Sequence, residues 1–215
     1  MGIAAVRCYR LPPRMQFPGR LYLLFTPSSC RLDPWQTLTA ALDGGVDLVQ
    51  WRVKQPDGEG FRRCRDLCRE RGVPLLVNDD VMLAVRGRVQ GAHVGQTDLP
   101  AEASRKLLVD QWLGVSTHTP EQIAAAAAAG ADYVGFGPCH ATPTKGYTQG
   151  LTPVAIEAGI QAAARHGLPL FAIGGITAAN LLPLRALGID RIAVSSTILA
   201  SDDPRGSAAA LRRML

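Results

Sequence analysis

Short apolar runs recur along the chain, each followed by a longer stretch whose apolar positions repeat at helical spacing. The runs are Leu21 to Thr26, Leu48 to Val53, Pro74 to Asn78, Ala92 to Gln96, Trp112 to Thr117, Tyr133 to Cys139, Leu170 to Gly174 and Ile192 to Ser196. Periodicity alone does not tell a short buried strand from a piece of helix, so the flanking residues decide. Asp33-Pro34, Thr119-Pro120 and Thr152-Pro153 each pair a capping side chain with a proline suited to a first helical turn. Gly44, Gly72, Gly130, Gly167 and Gly188 are expected at left-handed helix ends. Strands that are apolar throughout, rather than alternating, need cover on both faces, which implies a parallel sheet flanked by helices. Eight such βα units in about 200 residues predict an α/β fold of the closed (β/α)8 TIM barrel type. The expected division is a single barrel domain over 20–215 with 1–19 as an N-terminal extension. A doubly wound open sheet is the alternative, but no Gly-x-Gly-x-x-Gly follows the first strand to give it a dinucleotide site.

Composition changes this picture little. With 215 residues, 47% of them hydrophobic, the chain can bury a full core. The formal charge is +5, yet lysines and arginines are scattered, with a cluster between Arg62 and Arg71 on a predicted helix. A solvated face or a mild attraction for phosphorylated small molecules accounts for this without a nucleic-acid partner. No apolar stretch reaches the roughly 18 residues of a membrane span, and Arg7, Arg10 and Arg14 among prolines do not form a signal peptide. A cytoplasmic location is expected. Cys8, Cys30, Cys64, Cys68 and Cys139 lack zinc-site spacing and read as reduced, ordinary thiols.

Barrels of this type carry their chemistry at the carboxyl ends of the strands. On the second strand Gln50, Arg52 and Lys54 fall at period two and share a face, opposite Val49, Trp51 and Val53. Polar groups of that size inside a barrel need a partner, and Arg52 with Lys54 suits an anion. The third strand ends in Asn78-Asp79-Asp80 and the fourth leads to Gln96-Thr97-Asp98, so hard oxygen ligands from neighbouring strands suggest Mg²⁺ facing a pyrophosphate. Either Asp79 or Asp80 also suits the cap of the next helix, and Asp98 before Leu99-Pro100 suits a cap. Ser116 and His118 close the fifth strand, without the nucleophile elbow of a hydrolase. After the sixth, the hydroxyls of Thr142 and Thr144 with the ammonium of Lys145 read as an anion-binding loop, the alternative being a solvated surface turn. Gly175 after the seventh strand and Ser195-Ser196 after the eighth stand where such barrels build phosphate sites.

In chain order the segments read VQWRVK, LLVNDD, HVGQTD, GVSTHT, DYVGFGP with TPTK, AIGGI and AVSST. From Arg20 onward the sequence thus resembles the thiamine phosphate synthase family, also called thiamine-phosphate pyrophosphorylases. The resemblance implies a transferase that joins an aminopyrimidine methyl diphosphate to a hydroxyethylthiazole phosphate and releases pyrophosphate. It implies that Gln50, Arg52, Lys54 and Asn78 hold the pyrimidine diphosphate, with Lys145 also on its pyrophosphate. Asp79 and Asp98 would bind Mg²⁺, and Ser116 would sit near the reacting centre. Thr142, Thr144, Gly175, Ser195 and Ser196 would hold the thiazole phosphate. The family mechanism breaks the C–O bond early, to a pyrimidine methyl cation that the thiazole nitrogen captures; Ser116, Lys145 and Arg52 are then the catalytic candidates. Small-molecule substrates are the expected partners, with neither nucleic acid nor membrane, and a homo-oligomer is open. His140-Ala141 stands where the family usually has an aromatic residue and proline, and Val53 where a Glu is common. The nearest rivals are a thiazole tautomerase barrel, in which the diphosphate-binding residues are degraded, and a non-catalytic phosphate-binding barrel.

Overall fold

The computed structural model describes residues 17, 19–141 and 148–215. Strands β1 (Leu21–Phe25), β2 (Leu48–Trp51), β3 (Leu75–Asn78), β4 (Gly91–Val94), β5 (Trp112–Thr117), β6 (Tyr133–Phe136), β7 (Leu170–Ile173) and β8 (Ile192–Val194) close into a parallel barrel in sequence order. Closure is made by β8 against β1, pairing Leu21 with Ile192 and Leu23 with Val194. The helices between them are α1 (Pro34–Asp43), α2 (Gly58–Glu70), α3 (Val81–Gly87), α4 (Ala101–Leu107), α5 (Pro120–Ala128), α6 (Pro153–Arg165) and α7 (Leu181–Ala186). Two more, α8 (Ser196–Leu199) and α9 (Pro204–Met214), follow β8.

Strand alternation sorts the apolar residues into two layers. Tyr22, Leu48, Leu76, Tyr133, Phe171 and Ala193 fill the barrel, while their neighbours Leu23, Val49, Leu75, Val134, Ala172 and Ile192 pack outward with the helix faces. Both parities are buried, which is why the strands read as unbroken apolar runs. The expected caps are present: Asp33 accepts from the N–H groups of Trp35 and Gln36, Thr119 from Gln122 and Thr152 from Ala155. Phe17 lies beneath the barrel, its ring centroid 4.4 Å from that of Tyr133 and 4.7 Å from that of Trp112, so part of the N-terminal extension belongs to the core.

Two expectations need correction. The strands stop earlier than the apolar runs suggest: β6 ends before Gly137-Pro138, where proline has no N–H for the ladder, and β8 ends because Ser195 opens α8. Gly44 is not left-handed; its φ is −82°, and Gly45 takes the turn with φ +95°. A Cβ on Gly44 would meet the Arg205 carbonyl and the Ala208 side chain, so this glycine is needed for the close approach of α9.

Candidate active site

The open cavity lies at the carboxyl ends of the strands and is walled by Gln50, Arg52, Asn78, Ser116, Gly175, Ser195 and Ser196 together with Tyr22, His93 and Tyr133. Its floor is a chain of side-chain hydrogen bonds crossing the barrel. Gln50 Nε2 donates to the Tyr22 hydroxyl at 2.9 Å, and that hydroxyl lies 3.0 Å from the Tyr133 hydroxyl. Tyr133 meets His93 Nδ1 at 3.0 Å, and His93 Nε2 meets Ser116 Oγ at 2.9 Å. Each member comes from a different strand, at an inward-facing position. Burial pushes both phenols well above the ordinary tyrosine value, and their mutual hydrogen bond lowers that of Tyr22 while raising that of Tyr133. Both are therefore hydroxyls at neutral pH. Room for the chain comes from Gly114, where any Cβ would run into the Tyr133 ring. Deleting one hydroxyl would strand a buried partner, a defect worth about 1–3 kcal/mol.

Above this floor the wall carries an unneutralised cation. Arg52 is half-buried, its backbone N–H fixed to the Phe25 carbonyl at 2.9 Å, and its guanidinium forms no ion pair among the described residues. A partly desolvated guanidinium without a carboxylate favours a bound anion. Across the cavity the loop after β7 and the first turn of α8 bring Gly174, Gly175, Ser195 and Ser196 together. Ser195 Oγ donates to the Leu24 carbonyl at 3.0 Å and Thr197 Oγ1 to the Ile176 carbonyl at 2.6 Å. Their single hydroxyl protons are thus committed, which leaves the exposed Ser196 hydroxyl and the backbone amides for a ligand.

The family model described as thiamine monophosphate synthase matches residues 21–198. The chain belongs to that family. The thiamine-phosphate synthase of Bacillus velezensis is 36% identical over 200 residues, covering 87% of each chain. That of Geobacillus kaustophilus is 43% identical over 186 residues, covering 81% of each. The thiamine phosphate pyrophosphorylase of Pyrococcus furiosus superposes with a TM-score of 0.80 at 25% identity, over 91% of this chain and 94% of its own. A 3-hexulose-6-phosphate synthase, with a TM-score of 0.67 at 15% identity, shares the fold alone. The protein is a transferase of thiamine biosynthesis.

Set on this barrel, the residues expected from sequence fall into three groups. Gln50, Arg52, Asn78, Ser116, Gly175, Ser195 and Ser196 line one cavity. Lys54, Asp79 and Asp98 are not on its wall. Lys54 is exposed: pairing with β1 continues past Trp51 only as far as the Arg52 N–H, and Lys54 lies in the loop beyond it. Asp80, not Asp79, caps α3, accepting from the Leu83 N–H at 2.8 Å. Asp79 turns with φ +64° and donates its N–H to the His93 carbonyl at 2.8 Å, while Asp98 Oδ2 accepts from the Gly95 N–H at 2.7 Å. The Asp79 backbone and the Asp98 carboxylate are thereby tied to the rim at the end of β4. Thr142, Thr144 and Lys145 lie outside the described residues. His140 is off the cavity wall, its N–H bonded to the Gly174 carbonyl at 3.1 Å. Cys139 is buried, which pushes its thiol up to about 12, and it is inert at neutral pH.

Sequence reasoning missed Tyr22, His93 and Tyr133, which sit inside apolar runs and look like ordinary core residues. Parity holds the missing signal: all three share the inward register with Gln50 and Ser116, and Gly114 and Gly135 lie on that same face.

Proposed function

We propose that the protein joins an aminopyrimidine methyl diphosphate to a hydroxyethylthiazole phosphate, giving thiamine phosphate and pyrophosphate. The observation that carries this reading is Arg52, an unpaired, half-buried guanidinium over a floor of neutral hydrogen-bonding groups. A diphosphate would neutralise Arg52 while Gln50 and Asn78 meet polar atoms of the pyrimidine. Ser116 would face the oxygen that departs. Gly175 with Ser195 and Ser196 would hold the second phosphate, and the proposed parts for Thr142, Thr144 and Lys145 are the thiazole phosphate and the pyrophosphate. Breaking the C–O bond needs stabilisation of leaving charge and alignment of two rings rather than a strong base.

The donor set at the rim suits Mg²⁺. Asp79 and Asp98 offer hard carboxylate oxygens on adjacent strand ends, and Asp98 keeps Oδ1 beyond its bond to Gly95. Among the described residues no group of three or more His, Cys, Asp or Glu forms a protein cage, which fits an ion completed by water and phosphate oxygens. Bound there, Mg²⁺ would neutralise charge on the departing pyrophosphate. Asp98→Asn is expected to raise the Mg²⁺ concentration for half-maximal rate at least about 10-fold while leaving thiazole phosphate affinity unchanged. An unaltered Mg²⁺ titration would remove Asp98 from the ligand set.

Among the described residues no helix is long and apolar enough to cross a membrane. A cytoplasmic site of action, with small phosphorylated molecules as the partners, accords with the proposed substrates. The function is tested by supplying purified protein with Mg²⁺ and both substrates and following pyrophosphate, which should require both.

A further inference from the structure

The floor of the cavity holds five polar side chains with a fixed number of protons. Gln50 and Tyr22 are each 2% exposed, Tyr133 is fully buried and His93 is 8% exposed, so bulk water has little access to the bonds between them. Each hydroxyl has one proton to give, and each imidazole nitrogen either donates or accepts. Once one end is set, every bond along the row follows. With Gln50 Nε2 donating to Tyr22, the Tyr22 proton must go to Tyr133, and the Tyr133 proton to His93 Nδ1. His93 then carries its proton on Nε2 and gives it to Ser116 Oγ. The Ser116 proton is left to point into the cavity, while Gln96 Nε2 holds the Ser116 backbone carbonyl at 2.6 Å. Gln50 Oε1 has no partner among the described residues and belongs to a residue on the cavity wall, so it is open to a ligand donor.

We propose that Gln50, Tyr22, Tyr133 and His93 are positioning residues that form one polarised relay, making Ser116 a hydrogen-bond donor to the ligand whenever Gln50 Oε1 accepts from it. The two ends of the cavity are thereby coupled through the barrel. A ligand N–H at Gln50 and a ligand oxygen at Ser116 select the same state of the relay. A ring carrying a carbonyl instead of an amino group would turn the Gln50 amide over, reverse each bond, and leave Ser116 accepting. This assignment rests on the proposed function: the exocyclic amino group of the pyrimidine supplies the N–H, and the departing pyrophosphate oxygen meets Ser116.

The relay is tested first in the resting protein by nitrogen NMR of the histidine rings, with the His93 signals assigned by their loss in His93→Gln. Protonated Nε2 and unprotonated Nδ1 are expected, and Tyr133→Phe should weaken that preference by removing the donor to Nδ1. Protonated Nδ1 in the wild-type protein both at rest and with a 4-aminopyrimidine bound would overturn the proposal without bearing on whether the protein couples its substrates. Kinetics supply the second test. Tyr22→Phe and Tyr133→Phe should each lower kcat about 10-fold with KM for the thiazole phosphate unchanged, and the double variant should lose about 10-fold rather than the roughly 100-fold of independent sites. A 100-fold loss in the double variant, or no loss in either single one, would contradict a shared relay. Wild-type protein that shows the expected tautomer but no coupling counts against the synthase reading and leaves the relay standing.

Discussion

Arg52→Ala is expected to lower kcat/KM for the pyrimidine diphosphate by about 100- to 1000-fold, or ~2.7–4 kcal/mol, the range found when one preorganised charge-stabilising group is removed. The size follows from the surroundings. Arg52 is half-buried, its backbone is held by Phe25, and no described carboxylate neutralises it, so its charge acts on the ligand in a medium less screening than bulk water. Arg52→Lys should recover only part of the loss, since an ammonium keeps the charge but not the fork that spans two phosphate oxygens. Steady-state kinetics with each substrate varied in turn provide the check. The loss should fall on the diphosphate and spare KM for the thiazole phosphate; equal effects on both substrates would mean that Arg52 supports the fold of the mouth instead.

Phe17→Ala should produce the largest fall in stability, about 3–5 kcal/mol, as for other buried phenylalanines cut to alanine. Phe17 is 5% exposed and closes the barrel from below, its ring against Tyr133, Trp112 and Phe171. At about 2–4 °C per kcal/mol for a chain of this size, thermal unfolding should move down by roughly 10 °C. The same ring supports Tyr133 in the floor, so activity at low temperature should also fall. A midpoint unchanged within a degree or so would show that the extension contributes nothing to the folded core.

The fold was legible because its physics is written twice along each strand. In a closed barrel both strand faces are dry, so the apolar runs are continuous, and Asp33, Thr119 and Thr152 mark helix starts by the bonds their side chains make. The ends of the strands were less clear, since hydrophobicity persists after the ladder stops, as at Val53 beyond Trp51. The site divided along similar lines. Gln50, Arg52 and Asn78 stood out because polar side chains at inward positions are expensive without partners. Tyr22, Tyr133 and His93 did not, because an aromatic residue in an apolar run reads as packing and only the folded register shows that their polar atoms meet. Lys54 illustrates the converse, a residue placed by periodicity on a strand that had already ended. For Asp79 and Asp98 the sequence left cap and ligand open, and the structure gives the helix cap to Asp80 and a turn to Asp98.

The most direct test of the account is the stoichiometry of products formed by the purified chain with Mg²⁺. With both substrates present, one pyrophosphate should be released for each thiamine phosphate formed, and neither substrate alone should yield pyrophosphate at a comparable rate. Rearrangement of the thiazole phosphate without pyrophosphate, hydrolysis of the diphosphate alone, or tight binding of both substrates without product would contradict it.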